Sequence, residues 1–257
     1  MNHPLSSLSV ILPAYNEEAI IAETISGVLA YGRSRQIPFE VIVVDDGSQD
    51  RTSAIVKDLQ SVHSEICLVS HDRNKGYGAA LRSGFDTASK DWIFLMDADG
   101  QFDITQLDEF VPNIAGHDMM VGYRKRRADA LHRVLFGWGF TLLMNLLFQM
   151  RYKDIDCAFK LFRRSAWKAV QPIVSTDHKI FTVEWLWRAQ RTSLNIKELP
   201  VRHYQRMKGS QTGARLHVIW QMLATLLKFR LHLPPSPTLE AGKLSELSAH
   251  AALKPKT

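Results

Sequence analysis

The chain has 257 residues, of which 46% are hydrophobic and 23% charged, a composition that is ordinary for a globular protein and excludes global disorder and collagen-like fibres. Two cysteines, Cys67 and Cys157, are too few for a disulfide framework or a four-cysteine zinc site. The net charge of +6 is divided unevenly: residues 1–121 carry 8 basic and 18 acidic side chains, whereas residues 122–257 carry 24 and 8. The basic half predicts a partner with phosphate groups or an anionic surface, so nucleic acid, a membrane and a phosphorylated lipid are all candidates.

The first hundred residues alternate between strand and helix patterns. Short apolar runs predict strands at residues 8–12, 39–44, 66–69 and 92–96. Helical periodicity predicts helices at residues 17–30, from a cap at Ser48 or Asp50 to about Val62, and at residues 75–88. This alternation with fully apolar strands is typical of an α/β fold, in which a mostly parallel sheet is covered by helices on both faces.

A polar segment directly follows each of these four predicted strands. The segments are residues 13–17, 45–48, 74–78 and 97–101. The carboxyl ends of parallel strands meet at one edge of the sheet, where open α/β folds bind their ligands. We therefore expect the four segments to form one site.

The segment Asp97-Ala98-Asp99 places two carboxylates just after a strand, with Gln101 two residues further on. Two such groups can share a divalent cation, and their hard oxygen atoms favour Mg²⁺ or Mn²⁺ over Zn²⁺. The alternative is a solvated acidic turn. A metal site is favoured because the segment follows a buried strand and faces a second carboxylate pair, Asp45-Asp46.

Two further segments have the composition of a nucleotide site. Asp46 can accept hydrogen bonds from a base or ribose, although Ser48 and Asp50 beside it also serve as helix caps. In the segment 74–78, Lys75 adds positive charge and Gly76 permits close backbone approach to an anion at a helix N-terminus. No P-loop pattern is present, and His63, His71 and His117 lack ligand spacing, so we expect these histidines at the surface or in packing.

The second half contains two long apolar segments with a narrow polar stripe. Residues 131–150 are apolar except at every fourth position, and residues 217–233 repeat this design. A basic run at residues 124–127 precedes the first segment and is by itself typical of a solvated loop. We expect helices that lie in a membrane interface, with a packed core helix as the second alternative and a membrane span as the third.

These motifs, in this order, resemble the family 2 glycosyltransferases of GT-A fold, and within them the dolichyl-phosphate mannose synthase branch. The resemblance covers about residues 8–213. Its segments are Pro13-Ala14-Tyr15-Asn16-Glu17, Val44-Asp45-Asp46-Gly47-Ser48, Asn74-Lys75-Gly76-Tyr77-Gly78 and Asp97-Ala98-Asp99-Gly100-Gln101. It implies a GT-A domain at residues 1–215, with a nucleotide-sugar half to about 121 and an acceptor half beyond it, then an amphipathic helix at 216–233 and a flexible tail at 234–257.

The resemblance also implies roles for individual residues. Donor binding would use Pro13, Tyr15, Glu17, Asp46, Lys75 and Gly76, and the metal motif would be Asp97, Asp99 and Gln101. Arg124 and Arg133 match positions that hold the acceptor phosphate, and Arg206 matches a phosphate-contact segment completed by Gly209. Residues 154–160 resemble the family's D-x-T-G-x-F-R segment, but with Asp156 in place of threonine and Lys160 in place of arginine. The lysine that commonly follows the position of Gly209 is absent.

The sequence therefore predicts an inverting, metal-dependent glycosyltransferase that moves a hexose from a nucleotide sugar to a polyprenyl phosphate. One alternative is a hydroxyl acceptor, with Asp154, Asp156 or Glu184 as the base. Another is a catalytically inactive binding module for nucleic acid or an anionic membrane, which the intact carboxylate set disfavours, so we expect no nucleic-acid partner. Residues 1–13 lack the pattern of a secretory signal, and we expect a peripheral location on the cytoplasmic face of the membrane.

Overall fold

The computed structural model describes residues 5–126, 128, 131–174, 180–206, 226 and 229–230, with the backbone alone at 126, 131–133 and 173. Its strands are β1 (Leu8–Ala14), β2 (Phe39–Asp45), β3 (Ile66–Ser70), β4 (Trp92–Leu95), β5 (Met119–Arg126), β6 (Lys160–Arg163) and β7 (Ile196–Arg202). Its α-helices are α1 (Ile21–Arg35), α2 (Thr52–Val62), α3 (Tyr77–Thr87), α4 (Leu131–Phe148), α5 (Arg164–Val170) and α6 (Phe181–Arg191). Three 3-10 helices span Ile104–Glu109, Val111–Asn113 and Gln171–Ile173.

The seven strands form one sheet in the order β3-β2-β1-β4-β6-β5-β7. Strands β1 to β4 are parallel, β7 is parallel to β5, and β6 runs antiparallel to both of its neighbours. The predicted mostly parallel sheet flanked by helices is therefore confirmed. The reversal at β6 brings the segment that precedes it to the edge where β1 to β4 end.

The sheet is buried on both faces, which explains why its strands have nearly continuous apolar runs. One core cluster joins the sheet to α1 and the first two 3-10 helices through side chains such as Ile25 and Phe110. The other joins it to α3, α5 and α6, where Phe85 lies 5.0 Å from Trp185 and 5.3 Å from Trp167 between ring centroids.

The boundaries of two predicted elements are wrong at the site edge. β1 continues through Pro13 to Ala14, because β4 pairs with β1 only as far as Ile11 and the missing proline N–H has no strand to bond on that side. α1 begins at Ile21 and not at position 17, and the residues between form a turn in which the N–H groups of Ile20 and Ile21 donate to the Glu17 carbonyl.

Helix α4 has its polar stripe turned towards the protein. Thr141 is buried, and the side chain of Asn145 bonds both backbone groups of Tyr152, which ends the helix at Phe148 and not at the predicted position 150. Its outward face carries six exposed apolar side chains: Leu135, Phe136, Trp138, Leu142, Leu143 and Leu146. Among the helices that the structure describes, none combines the length and hydropathy needed to cross a membrane.

Most of the second predicted apolar helix lies outside the described residues, as do Gly209 and the tail. Within it, Leu226 is buried, and the Phe229 ring lies 5.8 Å from Phe148 and 6.1 Å from Trp187. The described part of this segment therefore packs against α4 and α6, as the packed-helix alternative predicts.

Candidate active site

The loops that follow β1 and β2 are joined by direct hydrogen bonds. Asn16 donates its N–H to Ser48 Oγ (3.0 Å) and accepts from the Gln49 N–H (2.8 Å) through its side chain. Glu17 donates its N–H to Thr52 Oγ1 at 2.8 Å. The first two of the four predicted site segments therefore form one rigid rim.

A cavity of about 390 Å³ opens beside this rim. Its lining comes from the loops after β1, β2 and β3 and from α2, and includes Tyr15, Asp45, Lys57, His71 and Arg73. The backbone of the β3 loop approaches so closely that a Cβ at Gly47 would lie 2.4 Å from the Arg73 carbonyl carbon. Positively and negatively charged side chains thus surround a space that suits a nucleoside.

Asp46 is bound entirely within the protein. One oxygen accepts from the Lys75 N–H and the other from the Gly76 N–H, each at 2.8 Å, and His71 Nδ1 lies 2.7 Å from the first oxygen. His71 Nε2 lies 2.9 Å from Ser83 Oγ in α3. Asp46 and the backbone of Lys75 and Gly76, predicted as separate donor contacts, therefore bond to one another and shape the start of α3.

His71 is a residue of this site that sequence reasoning missed. Its side chain is 7% exposed, so of the two expected placements, at the surface or in packing, the structure has the second. Its position one residue after β3, at the edge where the other strands end, is the signal that would have identified it. The Lys75 amine lies away from this network, 3.0 Å from the exposed carboxylate of Asp72.

The two carboxylates of the predicted metal motif lie together at the end of β4. Asp97 accepts a hydrogen bond from the Tyr77 hydroxyl at 2.9 Å, and Asp99 accepts from the Gln101 N–H at 3.0 Å. Burial, followed by the negative charge of Asp99, raises the pKa of Asp97 to about 7. Repulsion between the two groups leaves a strongly negative, poorly solvated position.

A hard divalent cation fits this pair. Within the part of the chain that the structure describes, no three His, Cys, Asp or Glu side chains are grouped to enclose a metal ion. Mg²⁺ in proteins is commonly held by one or two carboxylates and completed by substrate phosphates and water. Asp97 and Asp99 match this incomplete type of site and lie in a region that repels further negative charge until a cation enters.

The loop after β7 closes over the metal motif. Arg206 Nη2 lies 2.6 Å from both carboxylate oxygens of Glu17, and its Nη1 lies 3.6 Å from Asp99 Oδ2. Burial raises the pKa of Glu17 despite this ion pair. Gln101 donates its side-chain amide to the Tyr204 carbonyl at 3.1 Å. The structure thus brings together Glu17, Asp99, Gln101 and Arg206, which come from three distant segments of the chain.

Arg124, one of the residues predicted to hold the acceptor phosphate, is bound to another side chain of the protein. Arg124 forms a buried two-point ion pair with Asp154, with Nε–Oδ2 and Nη2–Oδ1 distances of 2.6 and 2.8 Å. Burial acts to lower the pKa of Arg124, but the hydrogen bonds and negative charge of Asp154 outweigh it and raise the pKa above its ordinary value. This guanidinium is therefore always positively charged. Arg133 lies in the first turn of α4, and its side chain lies outside the described residues.

The segment before β6 is fixed by a buried lysine. Lys160 is 1% exposed and donates from Nζ to the backbone carbonyls of Ile155 (3.2 Å) and Cys157. Burial lowers the pKa of Lys160, and its positive charge acts on Asp97. Of the three alternative bases, Asp154 is paired with Arg124 and Glu184 is fully buried beside Arg188, whereas Asp156 is exposed next to this segment.

Comparisons with known proteins agree with this fold. The family model described as glycosyl transferase family 2 matches residues 9–170. A dolichyl-phosphate beta-glucosyltransferase, ALG5C, of Trichomonas vaginalis is 31% identical over 208 residues, which cover 74% of this chain and 62% of that protein. This chain therefore spans less than two thirds of that relative. The dodecaprenyl-phosphate galacturonate synthase of Rhizobium johnstonii is 31% identical over 245 residues, covering 91% and 71%.

A solved structure has the same fold. Glucosyl-3-phosphoglycerate synthase of Mycobacterium tuberculosis, crystallised with Mn²⁺, uridine diphosphate and phosphoglyceric acid, superposes with a TM-score of 0.64 at 21% identity. The match covers 90% of this chain and 80% of the synthase. The family match over most of the chain, the relatives and the seven-stranded sheet lead to one conclusion: this chain is a member of glycosyl transferase family 2.

Proposed function

We propose that this family 2 glycosyltransferase transfers a hexose, with inversion, from a nucleotide sugar of the GDP-mannose or UDP-glucose type to a polyprenyl phosphate at the cytoplasmic face of a membrane. The observation that carries the proposal is the Asp97–Asp99 pair at the end of β4, closed over by Arg206 from the loop after β7. Both sequence relatives are named for a sugar and a polyprenyl phosphate.

The donor would bind across the ends of β1 to β4. The cavity lined by Tyr15, Asp45 and His71 suits the nucleoside, and the sugar diphosphate would extend from it towards Asp97. In this arrangement Asp46 acts indirectly, because its oxygens hold the start of α3. Pro13 and Glu17 belong to the rim that borders the cavity.

Asp97 and Asp99 would hold Mg²⁺ or Mn²⁺, with Gln101 beside them. The cation, when bound, stabilises the negative charge that develops on the leaving nucleoside diphosphate. Arg206 already bridges two carboxylates of the site, so its guanidinium is placed to pair with a diphosphate that enters between them. The negative charge that Asp97 and Asp99 carry without a metal would thus be balanced when the cation binds together with the diphosphate.

A phosphate acceptor fits the chemistry of the acceptor side. A phosphate oxygen is already anionic, so it requires orientation and not a strong base. The acceptor half of the chain has a large excess of basic residues, as counted in the sequence. Arg124 orients the segment 154–160 through Asp154, and Arg133 at the start of α4 is the remaining candidate for a direct phosphate contact.

The exposed face of α4 supports a membrane as the place of reaction. Six large apolar side chains on one helix face exceed what a water-exposed helix needs, and a basic run precedes the helix in the sequence. An apolar face flanked by positive charge suits the interface of an anionic membrane. The polyprenyl chain of the acceptor would lie in the same layer.

A second candidate is transfer to a hydroxyl group. It is favoured by one observation, namely that Asp156 replaces the threonine of the family segment and is exposed. Asp156 acts electrostatically on both Tyr77 and Lys160, which places its carboxylate near the metal motif. A carboxylate there could serve as the base that a hydroxyl acceptor needs.

An extraction assay tests the proposal. Purified protein is mixed with Mn²⁺, radiolabelled nucleotide sugars, and undecaprenyl or dolichyl phosphate in mild detergent. We expect metal-dependent label in the organic phase, a loss of about 100-fold or more in Asp97→Asn, and no loss in the exposed control Asp58→Asn. Label on a water-soluble acceptor only would support the hydroxyl alternative, and normal transfer by Asp97→Asn would disprove the metal assignment.

A further inference from the structure

Tyr77 contacts the metal motif. It lies in the segment 74–78, whose expected role in donor binding rested only on Lys75 and Gly76. It is the first residue of α3, and its hydroxyl donates to Asp97 Oδ1 at 2.9 Å. The residue as a whole is 46% exposed, so the ring borders open space while the hydroxyl end contacts the carboxylate.

The backbone at Tyr77 is fixed from two directions. Asp46 accepts the N–H groups of Lys75 and Gly76, which anchors the residues just before the helix. Gly76 has φ +96°, a conformation that glycine adopts without strain. At the far end of the helix, a Cβ at Gly84 would lie 2.4 Å from Ile11 Cγ2, so α3 packs closely against β1. The fold therefore fixes the backbone position from which the Tyr77 side chain extends.

A hydrogen bond to one oxygen of a carboxylate restricts how that carboxylate can coordinate a cation. It fixes the rotation of the group and directs the other oxygen towards the ligand position. Hydrogen-bond partners of ligating carboxylates commonly contribute 10- to 100-fold to metal affinity. Asp97, which lies beside Asp99 and is repelled by it, depends on such a partner to hold one orientation.

We propose that Tyr77 is a positioning residue, whose hydroxyl holds Asp97 in the orientation that binds the divalent cation of the nucleotide-sugar complex. This inference rests on the proposed function, since it assumes that Asp97 is a metal ligand. Tyr77 touches Asp97 and acts through it, and it needs no contact with the reacting atoms.

The chain offers a matched control for removing one hydroxyl. Tyr31 in α1 also donates to a carboxylate, Asp108 Oδ1 in the first 3-10 helix, at 2.8 Å; it is buried, and neither residue belongs to the metal motif. Tyr77→Phe and Tyr31→Phe therefore make the same chemical change at two places. Thermal unfolding of both variants establishes that they are folded before binding is measured.

Binding of Mn²⁺ is measured by electron paramagnetic resonance in the presence of UDP and, separately, GDP. We expect Tyr77→Phe to bind Mn²⁺ about 10- to 100-fold more weakly than the wild type, and Tyr31→Phe to bind it equally well. In the transfer assay, raising the Mn²⁺ concentration should restore the rate of Tyr77→Phe, which general damage to the fold would not permit.

Three results would overturn the inference. Equal Mn²⁺ affinity of Tyr77→Phe and the wild type would remove the positioning role while leaving the metal site intact. An equal loss in Tyr31→Phe would indicate a general effect on the fold. A wild-type protein that binds no Mn²⁺ with either nucleotide would disprove the metal site of the proposed function, and the role of Tyr77 with it.

Discussion

Arg206 and Glu17 lie 189 positions apart in the chain and form one ion pair, in which a single nitrogen lies 2.6 Å from both carboxylate oxygens. The pair is 12% and 11% exposed, so water screens it little. It connects the loop after β7 to the loop after β1 across the metal motif. Under the proposed function, Glu17 would hold Arg206 beside the diphosphate of the donor.

Replacing Arg206 should reduce donor use more than it reduces stability. Arg206→Lys keeps the charge but loses the planar fork, and Arg206→Gln loses both, so we expect kcat/KM to fall about 10-fold and about 100-fold. Transfer kinetics at varied nucleotide-sugar concentration measure both values. As a control, Arg202→Gln removes a highly exposed pair with Glu109, 3.7 Å long, and should leave kcat/KM unchanged. Wild-type kinetics in Arg206→Gln would exclude a donor contact.

The ion pair between Arg124 and Asp154 should dominate the stability of the acceptor side. Asp154→Asn leaves a buried guanidinium without a counter-charge, so we expect a loss of about 3–5 kcal/mol in the free energy of unfolding. Chemical unfolding measures it. The matched change Glu65→Gln breaks a pair with Arg33 whose side chains are 50% and 24% exposed, and should cost at most about 1 kcal/mol. Similar losses in both variants would contradict the buried character of the Arg124 pair.

The outward face of α4 should bind membranes. Trp138 is 67% exposed, and Trp138→Glu places a charge where an apolar ring would enter the lipid interface. We expect its partitioning onto phosphatidylglycerol vesicles to fall about 10- to 150-fold, since burial of one large side chain is worth about 1.5–3 kcal/mol. Sedimentation with vesicles measures it. Val62→Glu on α2, a residue 69% exposed, is the control and should not change binding. If both variants bind like the wild type, the α4 face serves another purpose.

The two cysteines should react at very different rates. Burial raises the pKa of Cys157 to about 12, so at pH 8 its thiolate fraction is about 10⁻⁴ and the sulfur is enclosed as well. Cys67 is partly exposed on the edge strand β3. Maleimide at pH 8, followed by peptide mass spectrometry, should label Cys67 first and Cys157 only after denaturation. Labelling of Cys157 at the same rate in the folded protein would mean that the segment 154–160 opens readily.

The sheet and the place of the site could be predicted because both follow from local patterns. Apolar runs of β2 and β4 end abruptly at Asp45 and near Asp97, and the carboxyl ends of parallel strands must share one edge. The direction of α4 could not be obtained in this way. A polar stripe can face either solvent or the protein, and here Asn145 and Thr141 turn inward to bond the returning chain at Tyr152 and Ile155.

The hydrogen-bond and ion-pair partners of individual side chains could not be predicted from the sequence either. Arg124 and Asp46 have the residue types of ligand contacts, and each instead binds a protein group about 30 positions away. Which carboxylate neutralises which arginine depends on side-chain distances after folding, and a single sequence contains no record of them. Tyr77 was overlooked for the same reason, since its partner Asp97 is 20 positions away on another element.

The reversed direction of β6 makes the architecture modular. Lys160 pairs with Leu95 in the register, two residues before Asp97, so the connection from α4 to β6 forms a separate wall opposite the loops of β1 to β4. Exposed positions of that connection, such as Asp156, can change without shifting the register of the parallel strands, whereas Asp154 is bound to Arg124. Under the proposed function, the acceptor side of the site could therefore diverge while the ends of β1 to β4, which would hold the nucleotide sugar, stay the same.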